Sequence, residues 1–167
     1  MPVIRQIWEA DAAAFLDLQK RLDEETRFML CEPGERRTTV RIQRRRIQET
    51  LAEDNSTIFV AEHDGALVGY LGAYGGQFRR IRHRAQIVIG ILAAFTGQGL
   101  GTRLFAALES WARAQGLHRL ELTVMTHNRA ALALYRKMGF QVEGRRRHAI
   151  RLGDAYVDEY AMARLLD

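Results

Sequence analysis

Cysteine is nearly missing. Cys31 stands alone among 167 residues, so no internal disulfide framework forms, and a reducing cytosol is the compartment that fits. Proline is almost as scarce. Pro2 and Pro33 both fall in the first fifth of the chain, and no proline-rich linker, repeat or low-complexity stretch marks a boundary. One domain over 1–167 is therefore the expectation. Apolar runs are short, which argues against a membrane span. The first ten residues contain Arg5 and Glu9 and no hydrophobic stretch, so a secretory leader is not expected. No metal site is expected either.

What is present is apolar and basic. Hydrophobic residues make up 47%, enough for a sizeable core, and the net charge is +5, from 25 Lys and Arg against 20 Asp and Glu. That balance favours an anionic partner: nucleic acid, an acidic protein or a phosphorylated cofactor.

The patterning predicts an alternation of elements. Val3–Trp8 alternates as a first strand. Asp11 can cap a helix carrying Phe15, Leu18 and Leu22 on one face. Cys31–Glu35 breaks it. Thr38 or Thr39 can start a second helix through Ile42, Ile47 and Leu51, with Arg41, Arg44 and Arg45 opposite. Ser56–Tyr74 predicts a hairpin around Asp64-Gly65, a pair suited to a type I′ turn. Ala85–Leu92 is apolar nearly throughout, which predicts a strand buried on both faces. A glycine turn, a helix from about Gly99 to Gln115 and a strand at His118–Met125 follow. Asn128 can cap a short helix that Gly139 ends. A second hairpin around Gly153-Asp154 closes the chain. The order β-α-α-β-β-β-α-β-α-β-β is α/β: a mixed, mostly antiparallel sheet with flanking helices and a central βαβ crossover.

The turn "FTGQGLGTRLFAAL" carries the chemistry. Gly97, Gly99 and Gly101 alternate at a strand-to-helix junction, and no carboxylate occurs from Ala94 to Leu108. A helix start offers unpaired N–H groups and a positive dipole end, and absent side chains let a phosphate approach. A Walker loop is excluded because no Lys-Ser/Thr pair follows. A dinucleotide fingerprint would need glycine where Thr102 stands, and Glu121 falls mid-strand.

The stretch resembles the pyrophosphate-binding motif of the GNAT superfamily of acyl-CoA-dependent N-acetyltransferases, Q/R-x-x-G-x-G/A. Gly99 and Gly101 match its small positions; Thr96 stands where the family usually has Gln or Arg. A second motif follows in "NRAALALYRKMGF", with Asn128, Ala131, Tyr135, Gly139 and Phe140 in place. The resemblance implies a single N-acetyltransferase domain using acetyl-CoA. It implies a cradle of Gly97, Gln98, Gly99, Leu100, Gly101 and Thr102 for the pyrophosphate. It implies that the pantetheine arm pairs with the backbone at Ile89, Ile91 and Leu92, where Gly90 would permit close approach. Asn128 would cap its helix and also touch the cofactor, and Tyr135 would give a proton to the leaving thiolate.

The general base is less legible. Gln86 is the only polar side chain from Gln86 to Leu92, where some relatives place a carboxylate. His127 and Glu121 are the leading candidates, with His83 and His118 behind them. Without an evident base, an α-amine is slightly favoured over lysine, because its pKa of about 8 leaves it partly neutral in the cell. The segment between Ala10 and Leu51 and the final hairpin with Asp158, Glu159 and Tyr160 would shape the acceptor pocket. The acceptor is a small-molecule or peptide amine, with a homodimer left open. Two other readings stand beside this one: a catalytically silent acyl-CoA sensor, and a nucleic-acid-binding module prompted by Arg44–Arg46. The latter lacks an aromatic stacking platform. "RRIRHR" at Arg79–Arg84 is a solvated loop or an anion contact.

Overall fold

A computed structural model describes residues 1–167. One seven-stranded sheet runs in the order β1-β2-β3-β4-β5-β7-β6. Its strands are β1 (Val3–Gln6), β2 (Thr57–His63), β3 (Ala66–Gly75), β4 (Arg84–Ile91), β5 (Arg119–Met125), β6 (Gln141–Leu152) and β7 (Ala155–Leu165). The helices are α1 (Ala12–Glu25), α2 (Val40–Ala52), α3 (Leu100–Ala114) and α4 (Arg129–Lys137). Every strand pairing is antiparallel except β4 with β5. The expected order of elements and the mixed sheet are both observed.

Local chemistry sets the ends of these elements. Asp64 and Gly65 take φ of 49° and 79°, the left-handed pair that a two-residue hairpin requires. Thr39 Oγ1 accepts the Ile42 N–H at 3.2 Å and starts α2. Two neighbours on β4 show how the layers lie. Gly90 faces Leu22 of α1, whereas Ile91 reaches Gly101 of α3. Successive strand residues face opposite sides, so α1 packs on one face of the sheet and α3 on the other. The core between them includes Leu71, Leu104, Leu108, Leu120 and Met162, all at most 1% exposed.

Four expectations are corrected. Asp11 does not cap α1 through its side chain; its carboxylate accepts the Trp8 N–H at 2.7 Å and both terminal nitrogens of Arg5. In α2 only Ile47 of the three apolar residues is buried; Ile42 and Leu51 are exposed, because α2 lies at the rim of the layer. Strand β4 is not buried on both faces. Gln86 and Val88 are exposed and Ile89 and Ile91 half-buried, so its apolar run lines a cleft rather than a closed core. Finally, the room at Gly90 is taken by Leu22, since a Cβ there would stand 2.7 Å from that side chain.

The Arg5–Asp11 pair ties β1 to the start of α1 and gives an acid-stability prediction. The Arg5 hydrogen bonds hold the Asp11 carboxyl below its usual range, aided by the Trp8 N–H. A depressed folded pKa gives stability that is complete above the unfolded value of about 3.9 and lost as pH falls through the folded one. In Asp11→Asn, urea-unfolding stability should therefore change less with pH below about 4 than in the parent. An unchanged slope would rule this pair out as an acid-labile tie.

Candidate active site

The strand-to-helix turn leaves an unusual set of peptide groups free. No peptide N–H from Gly97 through Thr102 has an acceptor within the protein; the first one satisfied is Arg103, which donates to the Gly99 carbonyl at 3.1 Å. Gly97 and Gly99 have φ of 71° and 79°, with open space where a Cβ would stand. Gly101 is different. A Cβ there would lie 2.7 Å from Leu134, so this glycine lets α4 pack against α3. The alternating glycines thus serve two purposes: left-handed backbone for the cradle, and close approach of two helices behind it. Lys137 Nζ donates to Thr102 Oγ1 at 3.1 Å, placing a cation at the same helix start. Bare N–H groups, a helix dipole and an ammonium group suit a diphosphate. Gln98 turns its side chain away, donating to the Ala94 carbonyl at 3.1 Å, and offers the cradle its peptide N–H only. Thr96 likewise bonds the Ala93 carbonyl, at 2.8 Å. Alanine at Gly99 would force a left-handed L-residue, costing roughly 1–2 kcal/mol. Gly99→Ala should weaken coenzyme A binding by about tenfold in calorimetry, with a fall in Tm of roughly 2–8 °C from the strained backbone. Equal affinity would remove the turn from the binding site.

Next to the cradle, the sheet opens. The β4–β5 ladder runs only from Arg84–Arg119 to Gln86–Glu121, and beyond it the strands part. The gap is a cleft of about 840 Å³. Leu92 spends its N–H on the Val68 carbonyl of β3 at 2.9 Å. Peptide groups alternate in direction along a strand, so those of Ile89 and Ile91 point into the gap. They form an open edge for an amide-bearing ligand arm. Leu92 itself is a correction: its N–H is spent on Val68, its carbonyl accepts from Phe95, and its side chain is 2% exposed. It is core, outside the cleft.

Tyr135 stands on α4 with its ring among Phe105 and Phe140, at 5.8 and 6.1 Å between centroids. Burial alone pushes the phenol pKa up, which keeps it protonated across the neutral range. No protein group bonds the hydroxyl, yet no buried side-chain oxygen is left unpartnered. The hydroxyl therefore reaches the cleft, which Tyr135 lines. Asn128 caps α4, accepting the Ala131 N–H at 3.3 Å, and lines the cleft as well.

The expected bases are placed elsewhere. Glu121 sits where the strands begin to part, but Arg119 and Arg84 engage its carboxylate at 2.9 and 3.6 Å. His127 is exposed at the rim, its ring 5.0 Å from Phe28, and does not line the cleft. His83 and His118 lie beside each other, 6.2 Å between rings, at the closed end of the β4–β5 pair. Two other carboxylates do line the cleft: Glu25, which accepts the Ala93 N–H at 2.9 Å, and Glu159 of β7. Glu159 has neither an ion pair nor a hydrogen bond. The sequence placed it only in the hairpin expected to shape the acceptor pocket; its pairing opposite Met125, at the end of β5 where the strands have parted, sets it in the cleft. Lys137, two residues after Tyr135, was silent in the sequence.

None of Arg79–Arg84 lines the cleft. Arg82 pairs with Asp54 at 2.6 Å and Arg84 with Glu121. In α2, Arg45 pairs with Glu49 at 3.1 Å, as a solvated helix face does. No helix is long and apolar enough to cross a membrane.

A parallel strand pair that parts beside a bare helix start, with a protonated phenol over the gap, is the arrangement of an acyltransferase that draws on a coenzyme A thioester. The chain belongs to the acetyltransferase (GNAT) family, whose family model matches residues 15–140; acetyl-CoA is the acyl donor of that family. It is 38% identical over 115 residues to the N-alpha-acetyltransferase RimI of Mycobacterium tuberculosis, a match covering 68% of this chain and 69% of that protein. It is 35% identical over 111 residues to the L-amino acid N-acetyltransferase AaaT of Escherichia coli, covering 64% and 66%. Over the full length of both chains it superposes on a GNAT-family acetyltransferase from Streptococcus pneumoniae with a TM-score of 0.96 at 29% identity.

Proposed function

We propose that the protein transfers the acetyl group of acetyl-CoA directly to an α-amine in the cytoplasm. The observation that carries this reading is the run of acceptor-free N–H groups from Gly97 to Thr102, continuous with the open edge at Ile89 and Ile91. Phosphates at the cradle and an arm along β4 would bring a thioester to Tyr135. Chemistry then needs three things. The ammonium must lose a proton, and Glu159, the cleft carboxylate free of partners, takes it directly or through water. The neutral nitrogen attacks the thioester carbon, a C–N bond forms, and the C–S bond breaks. The departing thiolate takes the proton of the Tyr135 hydroxyl, and the tyrosinate so formed recovers a proton, directly or through water, from the attacking nitrogen, which sheds its second proton as the amide forms. An acyl-cysteine route is disfavoured, because Cys31 is outside the cleft lining.

Two measurements test this. Calorimetry with coenzyme A should give heat from a single site, and thiol release from acetyl-CoA should depend on an added α-amine. Glu159→Gln should lower turnover by about a hundredfold, the residual rate rising with pH toward the amine's own pKa near 8. If that variant keeps full turnover, proton removal lies elsewhere.

A further inference from the structure

We infer that the acceptor is the N-terminal amine of a polypeptide with an apolar first side chain, and not a free amino acid; the inference has the acetyltransferase reading of the cleft as its premise. The named relatives, an N-alpha-acetyltransferase and an L-amino acid N-acetyltransferase, leave the point open, so the walls of this chain's own cleft must decide it. Charged side chains lining the cleft are Glu25, Lys137 and Glu159. Lys137 is bound to Thr102 at the helix start, which assigns it to the phosphate end. Glu25 is bound to the Ala93 N–H where the glycine turn begins, so the acceptor end is left with Glu159 and no cation. Its remaining walls include Phe28, Met29, Leu30, Val88 and Ile150.

A free amino acid brings a carboxylate two bonds from its amine. Seating that amine near Glu159 would bury the carboxylate against like charge and apolar walls, with no cation to receive it. Arg27 leans toward Gly153 of the β6–β7 turn, 3.9 Å from where a Cβ would stand there, and is outside the lining. A peptide replaces the carboxylate with a neutral amide and keeps the ammonium, which Glu159 attracts. A polyamine would satisfy the charge but would press a second ammonium against the apolar walls. The mouth argues further for a long acceptor. Leu30 and Phe28 stand 83% and 39% exposed there, and large exposed apolar side chains at a cleft mouth suit the residues that follow the first.

The test compares L-leucine, L-leucinamide, a leucyl tripeptide amide and spermidine as ligands of the coenzyme A-bound protein, by calorimetry, and as acceptors in thiol release. Leucinamide and the tripeptide should bind, and react in kcat/KM, at least about tenfold better than leucine, the scale of one surface charge contact. In Glu159→Gln the binding preference for leucinamide over leucine should shrink to a few-fold. Leucine matching leucinamide, spermidine exceeding the tripeptide, an unchanged preference in Glu159→Gln, or no amine binding at all overturns the inference. Absence of coenzyme A heat would instead bring down the premise, so the two failures are told apart.

Discussion

Replacing Tyr135 by phenylalanine should lower kcat by about a hundredfold or more, while coenzyme A affinity stays within about twofold. The reason lies in what the hydroxyl does and does not touch. It bonds no protein group, so removing it leaves no orphaned partner, and the ring keeps its contacts with Phe105 and Phe140. Melting should therefore hardly move. On the proposed mechanism the only function lost is delivery of a proton to the thiolate. Burial pushes the phenol pKa upward, so the acid form persists through neutral pH. Tyr135 should thus impose no fall in rate on the alkaline side below about pH 10. Full turnover in Tyr135→Phe would remove the phenol from the mechanism, and lost coenzyme A binding would make its role one of shape.

The second large effect is on folding. Asp23 of α1 is 2% exposed, and its carboxylate accepts from Arg36 Nε at 2.8 Å and from the terminal nitrogen at 3.0 Å. The hydrogen bonds that Arg36 donates to Asp23 are the main cause that holds the Arg36 guanidinium pKa above its usual value. This pair pins the connection between α1 and α2, which carries Phe28, Met29 and Leu30, to the body of the fold. Removing one partner leaves a part-buried guanidinium uncompensated, so Asp23→Ala should cost about 3–5 kcal/mol. That corresponds to a fall in Tm on the order of 10 °C. The double variant Asp23→Leu with Arg36→Met should regain most of the stability, because no charge remains unpaired. It should still show a raised KM for the acceptor, because the connection has lost its anchor. A double variant as unstable as the single one would place the loss in packing rather than in charge.

Much of this was legible along the chain. Asp64-Gly65 dictates its turn, since few pairs tolerate two left-handed residues in succession. Thr39 and Asn128 mark helix starts because their oxygens reach a backbone N–H within one turn. The bare glycine cradle is equally local: it depends on neighbours in sequence, and Gly97 to Thr102 are contiguous. Where the reading went astray, a partner or a surface that composition does not show decided. Asp11 had an N-cap's position but met Arg5 and the Trp8 N–H. Val88 looked like core because an apolar strand beside a cleft and one inside a core have the same composition.

The sequence alone therefore determined the order of elements and the bare glycine turn and put Tyr135 forward as the proposed acid, all of which rest on short-range geometry and spacing. Only the tertiary structure decided which carboxylate is free. Glu121 is taken by Arg119 and Arg84, whereas Glu159, brought across from the far hairpin, has no partner and faces the gap. Arg119 and Glu121 share a face of β5 by strand alternation, but the Arg84 contact and the partner-free setting of Glu159 depend on strands remote in sequence, which no periodicity along one chain encodes.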